Sequence, residues 1–422
     1  MFSTRPVPWN REGLVMRFDI NYFILLGSTI VIGYYLGLGI RKVRLPSLIG
    51  YMLLGILLGT SGLKLLDETS IDRFAFISNI TIAFVAFITG MELSVVSLKR
   101  LGFGIVTIIF GESIISFLLI AGALYMVTRD LPLSLLLGAL GSASAPEGTV
   151  NVIQEYKTKG NLTKALYAVV GFDDGLAIII FGFVAAVAKN ILQSEASGAG
   201  GKLLTSFVQP VEELLLSFLI GVILGLVFGF MQKMLTQERD SLILVIGFVF
   251  VATGLSMVLH LSIILTNLVV GFVFVNTRRQ TRVRGVIAQV QTLIPFMFIL
   301  FFCLAGAQMK LSTLPQLGMI GTVYIISRTV GKMFGARFGA EIGRVEKSLK
   351  KYVWLGILSQ GGVAIGLSMV VSNDLGKIGT AHAQEVVSAI LTCIPATCVF
   401  FGIVGPILAK VALTKAGEIS AK

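Results

Sequence analysis

Thirteen apolar runs of helical length follow one another along this 422-residue chain, and they leave little choice of fold. They cover roughly 19–40, 46–63, 73–96, 101–127, 131–154, 163–189, 209–232, 241–259, 262–277, 286–309, 314–337, 350–372 and 384–412. About 20 apolar residues carry a helix through a bilayer, and a spanning helix satisfies all its backbone polar groups internally. An all-α polytopic membrane protein with 13 transmembrane helices is therefore expected. Only 13% of residues are charged, against about 25% in soluble domains, and the mean hydropathy is +0.91. The 47 glycines suit helices that pack closely in lipid.

Net charge is +12, but the basic residues are scattered through short loops and form no single basic face. This pattern points to anionic lipid as a partner and away from nucleic acid. Of the 34 Lys and Arg, 22 fall in one alternating set of loops and 10 in the other, leaving Arg328 and Lys332 inside a span. The bias places the N-terminus outside and the C-terminus in the cytoplasm of a cell-membrane protein. Arg5, Arg11, Arg17 and Asp19 precede a first run that is too long for a signal-peptide core, so it is expected to be retained. Cys303, Cys393 and Cys398 all lie in apolar runs and imply no disulfide framework. The polar stretch 190–204 reads as a flexible linker.

A shift of 216 residues superposes the chain on itself. Gly55 falls on Gly271, Gly90 on Gly306, and Leu101-Gly102 on Leu317-Gly318. Spans two to six map onto spans nine to thirteen, and a shift of seven spans reverses orientation. Two inverted repeats of five helices are expected, with a site near the midplane between broken helices. The first break is Gly141-Ser-Ala-Ser-Ala-Pro146-Glu-Gly-Thr149, where proline removes a donor. Its mate is Ile357-Leu-Ser-Gln-Gly-Gly-Val-Ala-Ile365. The free carbonyls at such breaks are expected to suit a monovalent cation.

Few ionisable residues lie deep in the spans: Glu112, Asp173, Asp174, Arg328 and Lys332, with Glu147 at the first break. A charge at that depth costs at least ~2.5–3.5 kcal/mol and usually marks an ion or proton path. Two adjacent carboxylates let a cation and a proton compete for one site, titrating as a coupled pair. Arg328, a positive charge that does not titrate, is expected to hold one of the two ionised. Lys332 is either a core partner or an anchor reaching the interface. Glu112 is a packing partner of Lys332 or a second-tier site residue, and Glu147 caps a half-helix or contacts the ion. Ser144 is placed at the ion site, and Pro146, Thr149 and Gln360 around it.

The residues that carry these expectations also carry a resemblance. Leu45-Pro-Ser-Leu-Ile-Gly-Tyr-Met-Leu-Leu-Gly55, Gly90-Met-Glu-Leu, Ser144-Ala-Pro146, Phe172-Asp-Asp-Gly175 and Arg328-Thr-Val-Gly-Lys332 resemble the monovalent cation/proton antiporters with the bacterial sodium/proton antiporter fold. The resemblance covers essentially everything after residue 20, and the double aspartate places it in the two-aspartate branch. It implies a scaffold that dimerises (1–100 and 241–313), a moving core (101–189 and 314–422) and a linker with span seven (190–240). It also implies an elevator mechanism, a homodimer, and Asp174 as the essential carboxylate with Asp173 as its partner, so that Asp174 is expected to exchange ions while Asp173 leans on Arg328. Arg328 stands where many electrogenic members have Lys and others have Arg. Val169 replaces the upstream Glu of the electroneutral branch, Ala145 replaces an acid before the proline, and Glu147 follows it.

Exchange of Na+, or of Li+ or K+, for protons is the reading these features favour, with no cofactor and no enzymatic activity expected. A potassium/proton antiporter and an organic-anion symporter on the same scaffold are the alternatives kept. An intramembrane aspartyl protease would need aspartates from different helices, whereas these are neighbours about 100° apart on one. A fixed Arg at mid-depth would repel cations from an open channel.

Overall fold

The computed structural model describes residues 22–42, 47–59, 61–66, 73–196, 205–235, 238–308 and 318–419. Among them it contains seventeen α-helices and no strand. These are α1 (Tyr22–Lys42), α2 (Ser47–Leu58), α3 (Ala75–Glu92), α4 (Val95–Leu101), α5 (Phe103–Thr128), α6 (Leu131–Ser142), α7 (Pro146–Glu155), α8 (Asn161–Ala196) and α9 (Thr205–Met234). They continue as α10 (Glu238–Val258), α11 (Ile263–Thr277), α12 (Gln280–Gln291), α13 (Ile294–Gln308), α14 (Gly318–Ile342), α15 (Lys347–Gly356), α16 (Gly362–Leu375) and α17 (Ala381–Lys415). Six helices (α1, α5, α8, α9, α10 and α17) are each long and apolar enough to cross a membrane, and α2, α3, α6 and α11 are shorter apolar helices.

Local chemistry sets the helix ends. Asp130 accepts from Leu133 N (2.9 Å) at the start of α6, and Pro132 and Pro146 occupy first-turn positions where no N–H is needed. Ser94, Ser262 and Thr380 cap α4, α11 and α17 in the same way. Large apolar side chains line the outside, with Phe23 85%, Tyr35 68% and Leu215 64% exposed, while Glu112, Asp173, Arg328 and Lys332 are fully buried. That inversion of the soluble pattern is what a multi-pass membrane protein requires.

Both breaks fall where they are expected, and the runs otherwise resolve with two differences. Spans five and twelve are each two half-helices, α6/α7 and α15/α16, separated by residues 143–145 and 357–361. The tenth run is α13 preceded by α12, which carries Arg282 and Arg284 and is bent 47° from it. The linker expected over 190–204 is helical through Ala196, and its remainder lies outside the described residues.

The repeat governs the packing. Adding 216 to the first residue of α2, α6 and α7 gives that of α11, α15 and α16, and α5 lands one residue from α14. Contacts swap accordingly: α2 packs on α13, α3 on α11, and α5 on α14. At the crossings a methyl group on Gly55 would strike the Cys303 carbonyl, and one on Gly271 the Phe87 carbonyl. Likewise Gly90 meets the Leu268 carbonyl and Gly306 the Met52 carbonyl. Each contact is the 216-residue image of its mate, as a two-fold relation demands. Only glycine permits backbones this close, and dispersion across such contacts drives helix association in lipid.

Gly90→Ala and Gly306→Ala are therefore expected to destabilise the protein by roughly 1–3 kcal/mol each through overpacking. Gly247→Ala, which meets nothing within 4 Å, is expected to be silent. Melting of the detergent-solubilised variants decides it; equal melting temperatures for all three would refute the close-packing account.

Candidate functional site

The two broken pairs cross where their inner ends meet. The strands of chain between half-helices touch through Ala145 N donating to the Ser359 carbonyl (2.9 Å). Ser144 Oγ donates to the Ile357 carbonyl (2.9 Å), and Thr149 Oγ1 to the Gly356 carbonyl (2.5 Å). Gln360 Nε2 reaches the Leu140 carbonyl (3.2 Å) and the Tyr324 hydroxyl (2.6 Å). Ser144, Thr149 and Gln360 thus fasten one break to the other.

Two helices that stop in an apolar interior leave carbonyls without intrahelical partners at α6 and α15. Arg328 on α14 meets one of them, together with three more in the connections just beyond. Its Nε donates to Gly141 O (3.0 Å), Nη1 to Leu358 O (2.7 Å), and Nη2 to Ala143 O (2.8 Å) and Ser359 O (3.3 Å). The guanidinium stacks on the Phe401 ring with 4.3 Å to the centroid. A planar fork with five donors is suited to this, and its charge opposes the negative ends of two helix dipoles.

This corrects two expectations. Arg328 is not the partner of Asp173; its hydrogen bonds all go to backbone carbonyls. Nor are the carbonyls of Gly141, Ser142, Ala143, Leu358 and Ser359 at the breaks left for a cation alone, since Arg328 and Lys332 donate to them. Lys332, one turn further along α14, is the cation beside the carboxylates. Its Nζ pairs with Glu112 Oε2 and donates to Ser142 O (2.5 Å) and Ser144 Oγ (2.8 Å). Asp173 Oδ2 stands 3.7 Å away. Being fully buried, Lys332 is a core partner and no interfacial anchor.

Asp173 and Asp174 sit near the middle of α8, 0% and 5% exposed. Neither oxygen of Asp173 accepts a hydrogen bond from the described residues. Glu112 on α5 is fully buried, holding Lys332 with one oxygen and accepting from Ser113 Oγ with the other (2.8 Å). Pro146 opens α7 as expected, and the side chain of Glu147 lies outside the described residues. The structure thus brings Asp173, Glu112, Lys332 and Ser144 together, with Arg328, Gln360 and Thr149 in the adjoining crossing. Tyr324 and Phe401, fully buried against Gln360 and Arg328, carried no signal in the sequence beyond being aromatic.

Along α8 from Asp174 toward Ala196, Ile178 lines a narrow apolar pocket of about 20 Å³, roughly the space of one water. Ile82, Val85 and Ala86 of α3, Ile264 of α11 and Phe298 and Phe301 of α13 close it on one side, and Gly362, Val363 and Gly366 of α16 on the other. Beyond it opens a polar cavity of about 630 Å³ whose walls include Lys189, Gln193, Glu213, His260, Asp374 and Lys377. Lys189 of α8 approaches Glu213 of α9 at 3.9 Å there.

With this geometry in hand, the likenesses to known proteins are informative. A family model described as sodium/hydrogen exchanger, transmembrane, matches residues 27–411. Two structures of MjNhaP1, the sodium proton antiporter of Methanocaldococcus jannaschii, share the fold. One has a TM-score of 0.75 at 19% identity, covering 94% of this chain and 99% of that one. The other has a TM-score of 0.70 at 18% identity, covering 97% and 100%. A stretch of 137 residues is 30% identical to the Na(+)/H(+) antiporter NhaG of Bacillus atrophaeus. That stretch is 32% of this chain and 24% of the relative, so the match spans about a quarter of the relative's length.

Arg328→Lys is expected to lower stability despite keeping the charge, because one ammonium cannot reach four carbonyls spread over two helix breaks. Each orphaned buried carbonyl costs roughly 1–3 kcal/mol. The check is thermal unfolding in detergent; a melting temperature matching the parent would remove Arg328 as the clamp of the crossing.

Proposed function

The chain belongs to the sodium/hydrogen exchanger family, and from that premise we propose that it exchanges a monovalent cation, Na+ before Li+ or K+, for protons. The observation that carries the reading is the pair Asp173–Asp174, buried side by side at the crossing of two broken helices. A carboxylate in such surroundings is held ionised only by a nearby positive charge. A bound cation supplies that charge in one state and a proton replaces it in the other, so loading with one releases the other. Asp174 is the principal exchanging group and Asp173 its partner, with Lys332 beside them as a fixed positive charge.

Alternating access follows from the division of helices. The narrow pocket beyond Asp174 is walled on one side by α3, α11 and α13 and on the other by α8 and α16. The first set belongs to the scaffold expected to stay still, and the second to the core expected to slide past it like an elevator. In the state described, the apolar collar separates Asp174 from the polar cavity. With the N-terminus outside, that cavity is the outer vestibule. Counting each broken pair as one crossing, with α4 and α12 lying at the surface, gives thirteen crossings of the cell membrane and a cytoplasmic C-terminus. A homodimer formed through the scaffold completes the proposal.

Two measurements test it. In proteoliposomes, an imposed Na+, Li+ or K+ gradient is expected to drive a change of internal pH, and Asp174→Asn to reduce it to the level of empty liposomes. Absence of cation-driven proton flux in the parent, or full flux in Asp174→Asn, refutes the exchange reading. For the collar, a cysteine placed at Gln193 in the vestibule is expected to react with a membrane-impermeant thiol reagent in every condition. Ile178→Cys is expected to react only while a cation gradient drives turnover. The native cysteines are buried and give a low background. Constant reactivity at position 178 would refute a closing collar.

A further inference from the structure

An ammonium group has three donors, and all three of Lys332 are spent before Asp173 is reached. They go to Glu112 Oε2, Ser142 O and Ser144 Oγ. Asp173 stands 3.7 Å off, close enough for attraction but with no hydrogen bond on either oxygen. Glu112 is the only one of the three acceptors that is charged. It is itself fixed on both sides, by Lys332 and by Ser113 Oγ, and sits on α5, which packs along α14 through Gly111, Gly335 and Gly339. The helix pair that carries Glu112 and Lys332 therefore cannot readily drift apart.

We propose that Glu112 is a positioning residue: by holding Lys332 it leaves both oxygens of Asp173 to serve as ligands for the transported cation. The inference rests on the exchange reading and deepens it, assigning Asp173 a direct part in cation binding. Four charged groups surround Asp173: Lys332 and Arg328 of α14, Glu112 of α5, and Asp174 of its own helix. Arg328 is engaged by carbonyls, so Lys332 alone decides whether Asp173 is tied up. Without the Glu112 carboxylate, one donor of Lys332 turns to its nearest remaining carboxylate. Asp173 then gains a hydrogen bond and loses an oxygen for the cation.

The experiment is Na+ titration of the purified full-length protein by calorimetry at alkaline pH, paired with KM and maximal rate in proteoliposomes. Glu112→Gln, which keeps shape and removes charge, is expected to weaken Na+ binding and raise KM about tenfold, the effect of one charge-assisted hydrogen bond. The maximal rate is expected to hold. Glu112→Asp, which restores a carboxylate, is expected to recover most of the affinity. In the Glu112→Gln background, adding Asp173→Asn is expected to cost much less affinity than it does in the parent. Unchanged affinity in Glu112→Gln, or a loss of affinity and rate together that Glu112→Asp does not repair, overturns the role and leaves Glu112 a packing residue. A parent protein that binds Na+ but moves no protons defeats the exchange reading instead, and the two failures are told apart by the calorimetry.

Discussion

Helices that end inside an apolar slab pose a problem that ordinary loops never meet. Their last carbonyls face neither water nor a following turn, and hydrocarbon offers no donors. Here a single guanidinium answers for both broken helices at once, taking one carbonyl from the end of α6 and three from the connections that follow α6 and α15. The rest of the site is built around that clamp. With the half-helices held end to end, Ser144, Thr149 and Gln360 can bridge them, and α8 can lay its two aspartates alongside.

The charges at the centre are best understood as a division of duties between two cations one turn apart. Arg328 works on dipoles and Lys332 on carboxylates. The guanidinium is planar, with donors splayed in several directions, and it collects oxygens from separate segments. The ammonium is compact and directs its donors at a tight cluster of oxygens. Neither could do the other's work well, and their positions on one face of α14 bring both to the crossing.

Much of this was legible in the residues. The helical runs, the 216-residue repeat and both breaks can be read without coordinates, because proline, glycine and apolar length act locally. The depth of Glu112, Asp173, Asp174, Arg328 and Lys332 was legible for the same reason. Which cation faces which carboxylate was not. Arg328 and Lys332 share a helix face, and choosing between them requires knowing how far α14 reaches past the end of α6, a matter of packing between elements. Tyr324 and Phe401 were hidden too, since a buried aromatic that closes a polar site looks like any other core residue. The helical continuation through Ala196 was masked by Ser194 and Gln193, whose side chains suggest a loop while the backbone stays regular.

The glycine crossings carry a consequence for how such a chain comes into being. Gly55 and Gly90 do not pack within their own repeat; their contacts are Cys303 and Leu268, more than 170 residues downstream. When the first half leaves the ribosome, α2 and α3 enter the bilayer with their tightest surfaces turned to lipid and no partner yet made. The N-terminal half must wait, inserted but unfinished, until α11 and α13 arrive to interlock with it. Assembly is therefore a clasp closed late in synthesis, and the order in which the helices are made is not the order in which they settle.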